Sequence, residues 1–146
     1  MKVDRSSAER EKLRAHIRNA GLRCTAARLA VLAKLSRSDS PLSHADLAAQ
    51  VAPLGFDRAT VYRNLVEMAE AGILARIDLG DHVWRFELRG ENSAHPEDHP
   101  HFLCTECGDV SCLSGVEIKI KPARGKKPTV GEVTEVLLKG VCTHCA

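Results

Sequence analysis

The first half of the chain carries hydrophobic residues at helical spacing, separated by residues that cap helices. Four N-caps are predicted just before such runs: Ser6, Thr25, Ser43 and Asp57. The pattern Ser6-x-x-Glu9 predicts a capping box for a first helix that ends at Gly21. In the fourth helix Val61, Leu65 and Met68 recur at i, i+4 and i+7, which predicts one buried face.

After Gly72 the hydrophobic period changes from that of a helix to that of a strand. Hydrophobic residues alternate over residues 73–79 and again at Trp84, Phe86 and Leu88, with a turn at Gly80-Asp81 between them. This pattern predicts a β-hairpin with Trp84 and Phe86 on one face and Glu87 on the other. Helices followed by a hairpin are the layout of a winged helix, which we predict over residues 1–89.

The remaining residues predict a linker and a small second domain. Residues 90–100 are polar and include two prolines, which is typical of a linker loop. Within residues 101–146, Val116, Ile118 and Ile120 alternate with charged residues and predict a strand, and residues 133–138 form a second apolar run. The predicted fold class is α+β, with an N-terminal winged-helix domain followed by a small α/β domain.

Charge is divided unevenly between the two halves. Residues 1–76 hold 13 Lys and Arg against 8 Asp and Glu, whereas residues 77–146 hold 8 against 11. A basic N-terminal half favours binding to a polyanion, and an acidic C-terminal half favours binding to cations. Ordinary variation of surface charge explains the division equally well. The charged start of the chain and the lack of a long apolar run predict a cytoplasmic protein with no membrane partner. In that reducing compartment, cysteines are thiols or metal ligands rather than disulfides.

Two cysteine pairs predict a structural zinc site. They are Cys104-x-x-Cys107 and Cys142-x-x-Cys145. Each pair directs two thiolates inward from one knuckle, and two knuckles complete a tetrahedral sulfur shell for Zn²⁺. Since sulfur fills all four positions, the site has no open coordination position for catalysis. The alternative, a redox CxxC, requires only one pair.

A second group of residues predicts a regulatory metal site. His99 and His101 are two residues apart, so on a strand both imidazoles project to one side. Glu87 supplies a candidate oxygen ligand and Cys112 a candidate sulfur ligand. Alone, two nearby histidines are more often solvated surface, but the adjoining CxxC favours the metal site. We predict Glu87, His99, His101 and Cys112 as ligands of a second divalent metal, Zn²⁺ or Fe²⁺/Mn²⁺.

The fourth predicted helix carries candidate DNA-binding residues. It follows a short helix and a connection, which is a helix-turn-helix layout. When its hydrophobic face is buried, Tyr62 and Arg63 lie on the opposite face, where Tyr suits thymine methyls and Arg suits guanine edges or phosphates. An alternative is a solvated face with an Arg63–Glu67 ion pair. The predicted DNA-binding residues are Arg23, Arg58, Thr60, Tyr62, Arg63 and Asn64.

Together these motifs resemble the ferric uptake regulator family, over about residues 13–145. The matching stretches are Gly21-Leu22-Arg23-x-Thr25-x-x-Arg28, Ala59-Thr60-Val61-Tyr62-Arg63-Asn64-Leu65, Phe86-Glu87-Leu88, His99-x-His101-x-x-Cys104-x-x-Cys107-Gly108 and Gly140-x-Cys142-x-x-Cys145. The resemblance implies a winged-helix domain followed by an α/β dimerisation domain. It also implies a structural zinc, a regulatory metal, and a metal-loaded homodimer that represses its operators.

The chain departs from the family pattern at three places. Pro41 stands where relatives often have a regulatory histidine, with His44 a turn beyond. Cys112 stands where relatives often have a carboxylate ligand. The loop between Glu87 and His99 is longer than is usual in the family. In addition to these three departures, the expected dimerisation helix is hard to find in VEIKIKPARGKKPTV. Cys112, His44 and His82 are therefore alternative completions of the regulatory site.

From these observations we predict a metal-dependent transcriptional repressor that binds a near-palindromic operator in duplex DNA as a homodimer. Zinc is slightly favoured over iron or manganese as the sensed metal, since a thiolate ligand is soft. We predict neither enzymatic activity nor a small-molecule substrate, because the sequence has no HExxH or nucleophile motif. The alternatives are a zinc-ribbon module that binds protein or RNA, and a zinc metalloenzyme.

Overall fold

The chain forms two compact units, Met1–Ala94 and His95–Ala146. The structure is a computed structural model that describes residues 5–89 and 99–146. Most of the linker predicted over residues 90–100 lies outside the described residues. Within the described ranges, no helix has the length and apolar character needed to cross a membrane.

The first unit contains four α-helices. They are α1 (Arg5–Asn19), α2 (Ala26–Arg37), α3 (His44–Val51) and α4 (Arg58–Glu70), with a 3-10 turn at Ala52–Leu54. Three predicted N-caps are confirmed, because Thr25, Ser43 and Asp57 each accept a hydrogen bond from the backbone N–H three residues later, at 3.3, 3.1 and 2.8 Å. The predicted capping box at Ser6 is wrong, because α1 already includes Arg5.

The hydrophobic faces of these helices meet in one core. Val61, Leu65 and Met68 are fully buried, which confirms the predicted inner face of α4. Residues from the other elements of the unit complete the cluster: Leu13, Ile17, Val31, Leu32, Leu35, Leu47, Val51, Ile73, Leu74, Phe86 and Leu88. Because this core holds α4 through one face, the other face of the helix is left outward.

A small antiparallel sheet follows the helices. Its strands are β1 (Leu42–Ser43), β2 (Leu74–Asp78) and β3 (Trp84–Leu88), in the order β1-β3-β2. The chain leaves α4 through Gly72, whose φ of +81° suits glycine, and enters β2 at once. Phe86 is buried, whereas Trp84 is 49% exposed. Trp84 lies at the turn end of the hairpin, and the guanidinium of Arg76 is 4.2 Å from its ring centroid.

The second unit is built on a three-stranded sheet. Its strands are β4 (His101–Cys104), β5 (Val110–Cys112) and β6 (Leu137–Gly140), in the order β5-β4-β6. β4 pairs antiparallel with β5 and parallel with β6. The central strand is the most buried, with His101 and Leu103 each 5% exposed.

Residues 113–136 connect β5 to β6 without a helix or a strand. The strand predicted from Val116, Ile118 and Ile120 is therefore wrong, and these side chains are 48%, 37% and 63% exposed. An alternating segment forms a stable strand only beside a neighbour that completes its hydrogen bonds. Of the apolar run predicted over 133–138, only the last two residues join β6. The fold is thus α+β, with every described helix in the first unit.

Candidate metal centres and nucleic-acid interface

The sheet of the second unit brings the two cysteine knuckles to the same edge. β4 and β6 are parallel, with Cys104 opposite Gly140, so their carboxyl ends lie side by side. Cys104 is the last residue of β4, and Cys142 follows β6 by two residues. The backbone N–H of Thr105 also donates to the carbonyl of Gly140 at 2.8 Å. Strand pairing therefore brings both knuckles to one edge of the sheet.

The four sulfur atoms have the spacing of one metal site. Each lies within 4.8 Å of the others, and the sulfurs of Cys107 and Cys142 are 3.9 Å apart. Four thiolates at the usual Zn–S distance are separated by about 3.8 Å along the edges of a tetrahedron. The donor set is all sulfur, which suits Zn²⁺ and leaves no open position for a substrate. These residues therefore fit the predicted structural zinc.

The thiols of this cluster titrate over a wide range without a metal. Backbone N–H groups of Cys107 and Cys142 lower the pKa of the Cys104 thiol to about 6, because they donate to the thiolate. The neighbouring sulfurs of Cys142 and Cys107 raise the pKa of Cys145 to about 12. Four negative charges this close repel one another, so full ionisation of the cluster needs a cation among them.

A second ligand cluster lies at the start of the same sheet. His101 is the first residue of β4 and pairs directly with Cys112 of β5, so the two side chains share one face. His99 precedes the strand, yet its ring centroid is 4.6 Å from that of His101. The donor atoms of His99, His101 and Cys112 all lie within 4.8 Å of one another. The structure thus brings three of the predicted regulatory ligands together inside the second unit.

The other candidate ligands lie on the first unit. Glu87 is half-buried on β3, opposite Ala75 of β2. His82 is exposed in the turn between β2 and β3. His44 begins α3, where its Nε2 lies 2.8 Å from the carbonyl oxygen of Arg58. The role of Glu87 as a ligand stays a prediction. The contact with Arg58 places His44 beside the start of α4.

The outward face of α4 carries most of the predicted DNA-binding residues. Arg58, Tyr62 and Arg63 are exposed, with Tyr62 at 52%. Thr60 is half-buried, and its N–H donates to the N-cap Asp57. Asn64 is only 9% exposed because it lies on the core side of the helix, which argues against its predicted contact with DNA. The ring of His44 meets Tyr62 edge-on, with centroids 5.4 Å apart.

Arg28 links the loop of Arg23 to α4, a role that the sequence did not indicate. Its Nη1 donates to the carbonyl oxygen of Arg23 at 2.7 Å, and its Nη2 pairs with the carboxylate of Glu67. The ion pair of Glu67 is thus with Arg28 on another helix, instead of the predicted alternative with Arg63. Arg23 itself is exposed, so the contact holds its backbone and leaves its side chain outward.

The hairpin adds exposed residues that the sequence analysis missed. The face with Trp84 and Arg76 is aromatic and cationic at the tip of the wing, a combination that suits nucleic acid. The turn is braced by Arg85, whose guanidinium makes two contacts to the carboxylate of Asp81, at 2.8 and 3.0 Å. Arg85 also lowers the pKa of Asp81. The available signal was that Trp84 lies only three residues after the turn predicted at Gly80-Asp81.

Comparisons with known proteins agree with this arrangement. Residues 19–136 match the model of the ferric uptake regulator family. A ferric uptake regulation protein of Bordetella parapertussis is 35% identical over 138 residues, which cover 88% of this chain and 93% of that protein. A peroxide-responsive repressor, PerR, of Staphylococcus aureus is 26% identical over 149 residues, which cover 99% and 97%.

A solved structure extends the agreement to the fold. The ferric uptake regulator Fur of Helicobacter pylori, described as having three functional metal binding sites, matches with a TM-score of 0.61 at 20% identity. The match covers 99% of this chain and 97% of that one. Because the family match covers residues 19–136, which are most of the chain, the chain belongs to the ferric uptake regulator family of metal-responsive transcriptional regulators.

Proposed function

We propose that this chain is a homodimeric repressor that binds a near-palindromic operator when a regulatory metal is bound. The observation that carries the proposal is the presence of two separate ligand clusters on one sheet. Four sulfurs form a closed set at one edge, and His99, His101 and Cys112 form a mixed set at the start of β4. A closed sulfur set suits a permanent structural zinc, and a mixed set suits exchange with a metal pool.

The regulatory metal is proposed to be zinc rather than iron or manganese. Two imidazoles are compatible with all three metals, but a thiolate is a soft ligand that favours zinc over harder ions. His101 and Cys112 are directly opposite on paired strands, which supports the proposal that they share one metal. Glu87 is included as the carboxylate that the family pattern implies.

The metal is proposed to act by selecting one arrangement of the chain. His99 and His101 follow directly after the segment that joins the first unit to the second. A metal held by these histidines and by Glu87 would tie both units together without touching DNA. A tenfold preference of the metal for the DNA-competent arrangement corresponds to about 1.4 kcal/mol, and a hundredfold preference to twice that.

DNA recognition is proposed to use the exposed face of α4. Tyr62 and Arg63 are outward on a helix fixed by the core, as a helix that enters the major groove must be. Arg23 and Arg58 are exposed and are assigned to phosphates. In a homodimer two such helices contact half-sites about one helical turn of DNA apart, or a multiple of that distance.

Replacing His101 with Ala tests the regulatory site. We expect the variant to keep about one zinc per chain in the sulfur cluster and to lose metal-stimulated binding to the operator. The measurements are zinc content by mass spectrometry and operator affinity against added Zn²⁺, Fe²⁺ and Mn²⁺ in turn. His144→Ala is the matched control, since this exposed histidine lies inside the second knuckle and outside both ligand sets. A wild-type metal response in His101→Ala would refute the proposed site.

A further inference from the structure

The second unit concentrates its positive charge in one exposed segment. Of its six Lys and Arg residues, five lie within residues 119–127, and none of its seven Asp and Glu do. The five are Lys119, Lys121, Arg124, Lys126 and Lys127, and all are exposed. We name residues 119–127 the basic turn. Such segregation within an otherwise acidic unit differs from an ordinary mixed surface, where both signs are interspersed.

The basic turn has a defined backbone. The N–H of Lys126 donates to the carbonyl of Ala123 at 2.9 Å, which closes a β-turn. Gly125 within it has a φ of +80°, a conformation that glycine adopts without strain. Pro122 and Pro128 lie on either side of this β-turn and restrict the backbone where the chain enters and leaves it.

The segments that flank the turn face each other. Ile118 and Ile120 on one side, with Val130 and Val133 on the other, line a single cleft of about 500 Å³. The two segments therefore lie near each other, and the basic turn connects them.

Among the described residues, the charges of this segment gain little from ion pairing. Lys119 lies 3.5 Å from Glu117, but the two side chains are 68% and 76% exposed, and such pairs contribute little to stability. Five cations within nine residues repel one another at low salt, and a polyanion relieves this repulsion.

We infer that the basic turn is a second DNA contact, which neutralises backbone phosphates and reads no bases. The inference rests on the proposed function for the identity of the polyanion. Once α4 is bound to DNA, the second unit is held close to the phosphates because both units belong to one chain. Weak contacts of the second unit then add to the affinity. Flexible lysines without an aromatic neighbour in the turn suit phosphates rather than base edges.

The test is the salt dependence of DNA binding by the full chain with Lys126 and Lys127 both changed to Gln. Each phosphate contact contributes about 0.9 to the slope of log affinity against log salt, so the slope should fall by about 0.9 to 1.8 for each bound chain and by twice that for a bound homodimer. At 0.15 M salt, each lost contact corresponds to about a fivefold loss of affinity if its contribution vanishes at 1 M. Lys139→Gln, which removes the unit's one lysine outside the turn, is the matched control and should keep the wild-type slope.

Binding is measured on the operator and on random duplex DNA of the same length, with zinc content and thermal stability as checks on folding. A smaller slope on both duplexes supports the inference, because phosphate contacts do not depend on sequence. An unchanged slope on both overturns it, as expected if the turn instead binds an acidic protein. If the wild-type protein binds the operator no better than random DNA and does not respond to metal, the proposed function is refuted. The salt dependence of binding to random DNA still tests the basic turn in that case.

Discussion

Replacing Arg28 with Gln tests how the loop of Arg23 and helix α4 are held together. Arg28 is only 12% exposed, and it contacts both the Arg23 carbonyl and the Glu67 carboxylate. Gln is too short to make both contacts and carries no charge. We therefore expect the change to destabilise the first unit and to weaken DNA binding through Arg23, although Arg28 itself is not assigned a contact with DNA.

The magnitude follows from the two contacts. A hydrogen bond from a charged donor contributes about 1.5–3 kcal/mol, which applies to the Arg23 carbonyl. The pair with Glu67 contributes about 0–1 kcal/mol, since the glutamate is 48% exposed and water screens the pair. We expect a total loss of about 1.5–4 kcal/mol in the free energy of unfolding. A cycle with Glu67→Gln should give a coupling energy below about 1 kcal/mol.

The assay is urea unfolding of the full chain, followed by tryptophan fluorescence. The chain has one tryptophan, Trp84, which lies on β3 and reports on the first unit. The control is Arg14→Gln, because Arg14 makes only an exposed contact with Glu11 at 3.7 Å and should change stability by less than about 0.5 kcal/mol. Equal stability of Arg28→Gln and Arg14→Gln would refute this account of the contact.

Two further predictions concern the sulfur cluster and the outward helix. Cys142→Ser should lose about one zinc per chain and loosen the second unit. Cys24→Ser, which lies outside the cluster, should keep the zinc and the stability of the second unit. Metal analysis and thermal unfolding test this, and an unchanged zinc content in Cys142→Ser would contradict it. Tyr62→Ala should reduce discrimination at A·T positions by roughly 1–3 kcal/mol per lost contact, whereas Arg23→Ala should weaken binding to all sequences. Equal losses for Tyr62→Ala on operator and random DNA would exclude a base-reading role.

Features set by short-range chemistry were predictable from the sequence. The caps at Thr25 and Asp57 depend on residues three apart, and the buried face of α4 depends on helical period. The cysteine pairs were equally clear, because a metal shell requires these residue types at a narrow spacing. The family resemblance added the expectation that His99 and His101 bind the same metal, which the spacing of two histidines alone did not establish.

Features that depend on tertiary neighbours were predicted less well. Trp84 alternates with Phe86 as a buried residue would, but it lies at the turn end of the hairpin and is half exposed. The alternation at Ile118 and Ile120 predicted a strand, but no described strand pairs with this segment. Asn64 belongs to a DNA-binding motif by sequence, yet its register on α4 turns it to the core side. In each case the sequence pattern was local, whereas burial or strand formation depended on residues distant in the chain.

The parallel pairing of β4 with β6 also bears on how this chain tolerates change in length. Parallel neighbours require a long connection, and between β4 and β6 it consists of β5 and a crossover of residues 113–136 that contains no helix. β5 and β6 fix the two ends of this crossover, and the cysteine knuckles adjoin β4 and β6. Since each doubling of a flexible loop costs only about 0.6 kcal/mol, the crossover is a place where peptides can be inserted or exchanged while the sheet and its ligands stay in register.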